Sequence, residues 1–149
     1  MYAHILIPTD GSPLAEQAVN HGLALAKALG SRVTVLTVVE QFDVLRHFTV
    51  DDRVRLDELM ERFERGASAL ATKILGAAAE KAAALGVPAA TVQAQSNHPW
   101  EAIVKQAEES GADLIVMASH GRRGVSALLI GSETLKVLTH SKVPVQVLR

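Results

Sequence analysis

Residues 117–136, MASHGRRGVSALLIGSETLK, place three glycines, four hydroxyl side chains and two adjacent arginines between an apolar run and a helix-like tail. Such a stretch can cradle a phosphate. Gly121, Gly124 and Gly131 are expected to turn the backbone with positive φ and to let a ligand approach it without a Cβ in the way. Gly131 and Ser132 open a helix whose first amides lack intrahelical partners and whose dipole favours an anion. Ser132 and Thr134 offer further hydroxyl donors, and Arg122 or Arg123 can fork onto a phosphate. The same residues also have a plainer reading, in which the glycines mark turns, Ser132 is an N-cap and the arginines are solvated. No lysine follows Gly131, so this is not a Walker A loop, and the spacing is not the dinucleotide-binding G-x-G-x-x-G.

A second chemical group sits near the start of the chain, in the turn PTDGS. Asp10 there can accept hydrogen bonds from a ribose hydroxyl or hold a divalent ion beside phosphates. Alternatively it is a turn-former bonded to its own backbone. Ser119, His120 and Asp10 together suggest a hydrolase triad. Adjacent Ser and His side chains are expected to diverge, however, and no G-x-S-x-G elbow is present. The six histidines show no H-x-x-x-H spacing for zinc. A phosphoacceptor receiver would need an acid after the third strand, where QSNH has none. Trp100, the single tryptophan, reads as a packing residue. His140 and Lys142 are placed to complement the dipole of the last helix.

The elements that must carry these residues follow from apolar spacing. Ala3–Pro8 and residues 113–118 are short, mostly apolar runs, the most uniformly apolar of the strand candidates, as in buried strands. RVTVLTVVE, 32–40, is β-branched, AATVQAQ alternates as an edge strand would, and VPVQVLR supplies a fifth strand. Ser12 followed by Pro13 starts a helix that Gly30 closes. Residues 41–52 read as a loop. Beyond them, apolar positions keep helical spacing to Leu85, with Asp51 and Asp52 at the start and Gly86 and Pro88 at the stop. A helix of that length would span roughly 50 Å, so a bend or break near Gly66 is expected. SNHPWEAIVKQAEESGAD reads as cap, helix and glycine stop, and 131–140 as a last helix. Strands alternating with helices predict an α/β fold with a mostly parallel sheet and right-handed crossovers. The first and fourth strands should be its central neighbours. A ligand crevice is then expected above their carboxyl ends, between PTDGS and ASHGRRG.

The chain has 149 residues, the size of one domain, which is long enough to bury a core without staples. Aromatics are only 3%, so aliphatic residues must build that core. The net charge is −1, which gives no strong attraction to nucleic acid or anionic lipid. There is no cysteine, so disulfides and thiolate metal sites are excluded. The N-terminus lacks a basic region and a long apolar run. These features lead to the expectation of a soluble, cytoplasmic protein without a membrane partner.

With these pieces in place, the chain resembles the universal stress protein family over its full length. The resemblance is carried by ILIPTDGSPLAEQAV, by GADLIVMASHGRRGVSALLIGSETLKVLTHSKVPVQVL and by the strand–helix order between them. It implies a single-domain, Rossmann-like, open parallel five-stranded sheet with helices on both faces, of the adenine-nucleotide-binding type. It also implies a cytoplasmic homodimer linked to stress survival. One branch of the family binds ATP through Gly, two residues, Gly, nine residues, Gly, then Ser or Thr. Gly121, the nine residues Arg122 to Ile130, Gly131 and Ser132 match that pattern, but position 118 is Ala rather than the first Gly. A methyl group there bears on close backbone approach and on a positive φ. By the same resemblance Pro8, Thr9 and Asp10 line the ribose side. Val38 lies where the adenine contacts the backbone, Met117 sits beneath the ligand, and Ser132, Glu133 and Thr134 form the phosphate-facing helix start. Asp10 is also the candidate for nucleotide-bound magnesium. His120 is a loop-packing residue or a phosphate neighbour.

Two functions are therefore expected. In the first, ATP sits in the crevice of a regulatory protein. No general base is evident, so hydrolysis would be slow at most. In the second, the chain is a non-nucleotide interaction module acting through its surface and segment 41–55. Both expect a homodimer through the last strand, since exposed strand edges tend to be paired.

Overall fold

A computed structural model describes residues 1–42, 53–122 and 129–149. Among these, five strands and four helices alternate. They are β1 (His4–Pro8), α1 (Pro13–Leu29), β2 (Arg32–Val39), α2 (Arg53–Leu85), β3 (Ala89–Gln95), α3 (Pro99–Ser110), β4 (Leu114–Ala118), α4 (Ser132–His140) and β5 (Val145–Leu148). The strand order is β3-β2-β1-β4-β5, and every pairing is parallel. The two uniformly apolar runs are thus adjacent and central, as their composition demands, because a central parallel strand is covered on both faces. The chain leaves β1 toward β2 and leaves β4 toward β5. The sheet order therefore reverses between β1 and β4.

Alternation along the strands divides the core in two. Ile5, Ile7, Val33, Val35, Leu114 and Val116 point to one face, against Val19 and Leu23 of α1 and Leu75 and Ala78 of α2. Leu6, Leu36, Ile115 and Met117 point to the other, against Ile103 and Ala107 of α3 and Val137 of α4. Helices therefore cover both faces. Among the described residues, no helix is long and apolar enough to cross a membrane.

Local signals set the helix ends. Ser12 Oγ accepts from Ala15 N at 3.3 Å, with Pro13 following it at the start of α1. Gly30 and Gly111 close α1 and α3 in the left-handed conformation, at φ 70° and 67°. One expectation fails: α2 runs unbroken for 33 residues, through Gly66. Its first half adds little to the core. Burial against the core begins at Ala71, while Leu59, Phe63 and Leu70 stay about two-fifths exposed. The expected helix start at Asp51 and Asp52, and most of segment 41–55, lie outside the described residues.

Candidate functional site

The loops after β1 and β4 meet above the sheet, and Asp10 joins them. Its Oδ1 accepts from Ser12 N at 2.9 Å, within its own turn. Its Oδ2 accepts from Arg122 N at 2.8 Å, across 112 residues of sequence. The turn-forming reading of Asp10 thus holds, and the carboxylate also clamps the opposite loop, a contact that neither sequence-based reading contained. Burial raises its pKa, but hydrogen bonds from Ser12, the Arg122 amide and the Arg122 charge outweigh it. The carboxyl is held below its ordinary value. Thr9 is buried beneath. Its amide donates to Leu36 O at 2.8 Å, its hydroxyl accepts from Gly11 N at 3.2 Å, and its carbonyl accepts from Thr37 Oγ1 at 3.0 Å. Pro8 is buried at the end of β1 beside Leu36.

The glycines matter here for reasons that differ from the expected one. The described residues with positive φ are Gly11, Gly30, Gly86 and Gly111, so neither Gly121 nor Gly131 needs that conformation. Gly131 sits at φ −63°. What both positions require is space. A Cβ on Gly121 would run into the Asp10 carboxylate, and one on Gly131 would lie 3.2 Å from Ser119 O and 3.4 Å from His120 Cα. Gly11, at φ 75°, joins the site without belonging to the expected set: a Cβ there would lie 2.8 Å from Ile74 Cγ1 and 3.4 Å from Arg122 Nη2. Its signal was the Asp-Gly turn pair. Ile74 of α2 carries no sequence signal beyond helical spacing.

Gly131, not Ser132, is the N-cap of α4, and no side chain caps this end. Its amide donates to Ser119 O at 2.7 Å, which draws the loop's two ends together. The helical ladder begins with Leu135 N donating to Gly131 O at 3.0 Å, so the amides of Ser132, Glu133 and Thr134 precede it. Ser132 is exposed at this start. The Thr134 hydroxyl is no longer a donor to a ligand: it is buried and donates to Ala118 O at 3.1 Å. The Glu133 side chain turns to α3, where Oε2 accepts from Trp100 N at 2.9 Å.

Ala118 departs from the glycine pattern, but its methyl group packs with Ala15 and Ala18 of α1. No described non-glycine residue has positive φ. The methyl is therefore absorbed by the β4–α1 interface, and the positive φ that position 118 would disfavour is not required there. Met117 is buried on the opposite face of the sheet, and Val38 is half-buried on that same face, at the carboxyl end of β2. Arg123 and Gly124 lie outside the described residues.

The expected divergence of Ser119 and His120 is corrected: Ser119 Oγ and His120 Nδ1 meet at 3.2 Å, a contact that the preference for diverging neighbours had argued against. The contact still makes no triad. It uses the ring nitrogen that an orienting acid would occupy, Asp10 is engaged elsewhere, and Ser119 is 1% exposed. Among the described residues, no group of three or more His, Cys, Asp or Glu is placed to hold a metal. His140 Nδ1 bonds to Lys136 O at 2.8 Å in the last turn of α4, where it also stacks on Trp100. Lys142 Nζ pairs with Glu108 Oε1 at 2.8 Å instead of with the end of α4.

The family model described as the universal stress protein family matches residues 1–149. Universal stress protein YxiE of Bacillus subtilis is 30% identical, with all of both chains covered. Universal stress protein MJ0577 of Methanocaldococcus jannaschii is 30% identical over 155 residues, covering 100% of this chain and 96% of that one. Its solved structure superposes with a TM-score of 0.81 at 28% identity over 99% and 96% of the two chains. A universal stress protein solved in complex with cAMP superposes at 0.71, with 25% identity and 99% and 97% coverage.

Proposed function

The chain belongs to the universal stress protein family, and from that premise we propose that it is a regulatory protein that binds ATP between the loops after β1 and β4. The observation that carries this reading is the uncapped start of α4, whose Gly131 amide bonds to Ser119 O at the base of the loop that Asp10 holds through the Arg122 amide. The amides of Ser132, Glu133 and Thr134 precede the helical ladder and lie at the positive end of the dipole, which suits a phosphate. Arg122, with Arg123 and Gly124 beyond it in sequence, adds charge and a main chain without bulk. Pro8, Thr9 and Asp10 would line the ribose, and Asp10 keeps acceptor capacity for a hydroxyl or for nucleotide-bound magnesium. Val38 would meet the base through its main chain and Met117 would lie beneath the ligand; Ala118, His120, Gly121 and Gly131 would shape the floor. The cAMP complex of a relative supports an adenine nucleotide.

No general base is evident among the described side chains, so any hydrolysis would be slow. Cytoplasmic residence and a homodimer complete the reading. β5 is a half-exposed edge strand, and Leu135 and Leu138 of α4 are 56% and 39% exposed. Calorimetry with ATP and magnesium tests the site. Binding by the wild type and its loss in Gly131→Val are expected; no heat from the wild type at millimolar ligand rejects the reading.

A further inference from the structure

The start of α4 is tied to the start of α3 through a single side chain. His98 precedes α3 without a side-chain capping bond, and Pro99 has no amide hydrogen. The amides of Glu101 and Ala102 turn back to His98 O at 3.0 and 3.4 Å. The Trp100 amide remains, and it donates to Glu133 Oε2 at 2.9 Å. The other carboxylate oxygen, Oε1, lies 3.4 Å from Lys136 Nζ. The Trp100 ring stacks on His140 at the far end of α4, with centroids 4.4 Å apart and planes at 33°.

We propose that Glu133 is a positioning residue for anion binding: by capping α3 it fixes the first turn of α4 and turns its own charge away from the amides that a phosphate would use. The inference rests on the nucleotide reading above. A carboxylate in the first turn of a helix is drawn to that helix's own amides and dipole, where it would compete with and repel a phosphate. The Trp100 amide offers it the positive end of a second helix instead. An anion at α4 is thereby coupled to Trp100, the only tryptophan in the chain.

The test compares ATP–magnesium affinity by calorimetry and Trp100 emission in the wild type, Glu133→Gln, Glu133→Ala and Glu133→Asp. Gln keeps an acceptor of the same reach, so it should bind within about threefold of the wild type. Ala removes the cap and Asp falls short of it, so both should bind about tenfold more weakly, which corresponds to about 1.4 kcal/mol. The ATP-dependent emission change should persist in the wild type and Gln and vanish in Ala and Asp. If Glu133→Ala does not fold, Glu133→Asp decides. ATP affinity within threefold of the wild type in the shortened variants overturns the inference, as does a loss that Gln fails to rescue or emission insensitive to bound ATP in the wild type. A wild type that binds no ATP overturns the nucleotide reading, and this inference with it.

Discussion

Replacing Asp10 with alanine should release the loop after β4 from the loop after β1. The carboxylate accepts two amide hydrogen bonds, from Ser12 at 2.9 Å and Arg122 at 2.8 Å. Bonds to a charged group contribute roughly 1.5–3 kcal/mol each when both partners are buried. The Arg122 bond is exposed, so water recovers most of it once the loop opens. The net loss is then about 2 kcal/mol. For a domain of this size that corresponds to a fall in Tm of roughly 4–8 °C. The sign of the pH dependence follows from the depressed pKa of Asp10. Its contribution is fully present above the unfolded carboxylate value and is lost as pH falls through the folded one. Scanning calorimetry of wild type and Asp10→Ala should therefore show the full gap near neutral pH and a shrinking gap below about pH 4. Equal Tm values at neutral pH, or a gap that widens in acid, would refute the clamp.

Two glycine substitutions should move stability in opposite directions. A Cβ at Gly22 would lie 2.5 Å from Ile7 Cδ1 in the core, so Gly22→Ala should cost about 1–3 kcal/mol. Gly76 faces open space on α2, so Gly76→Ala should stabilise by about 0.5–1 kcal/mol. Thermal melts of both variants check the pair. His4 is buried, with Nε2 2.8 Å from Thr34 Oγ1 and Nδ1 3.1 Å from Ser110 O. Burial first, and then the Arg32 charge, lower its pKa against the raising effects of Ser110 and Asp113. Its contribution is therefore complete above the unfolded value near about 6.5 and is lost as pH falls through the folded value. His4→Gln should flatten the decline of Tm on mild acidification. Light scattering should give a dimeric mass for the wild type, as the proposed homodimer requires, and a monomeric mass for Leu138→Glu.

The order of strands was legible because burial on both sides leaves an unbroken apolar run. HILIP and LIVMA could not sit at an edge, whereas the alternating AATVQAQ could. Helix ends were legible for the same local reason, since Ser12, Gly30 and Gly111 meet needs set within a turn or two. The meeting of the loops after β1 and β4 followed from those two facts. Its chemistry did not, because the contacts that define it cross long stretches of chain. Spacing could name Gly121 but not the Asp10 carboxylate that forbids a side chain there. It could flag Ala118 but not the α1 surface that receives the methyl. It placed Glu133 at the helix start without showing that its carboxylate reaches α3. Local pattern fixes which elements form and which faces they bury, because those preferences act within a few residues. The direction a side chain takes at the site is settled only when distant elements compete for the same hydrogen bonds and the same space.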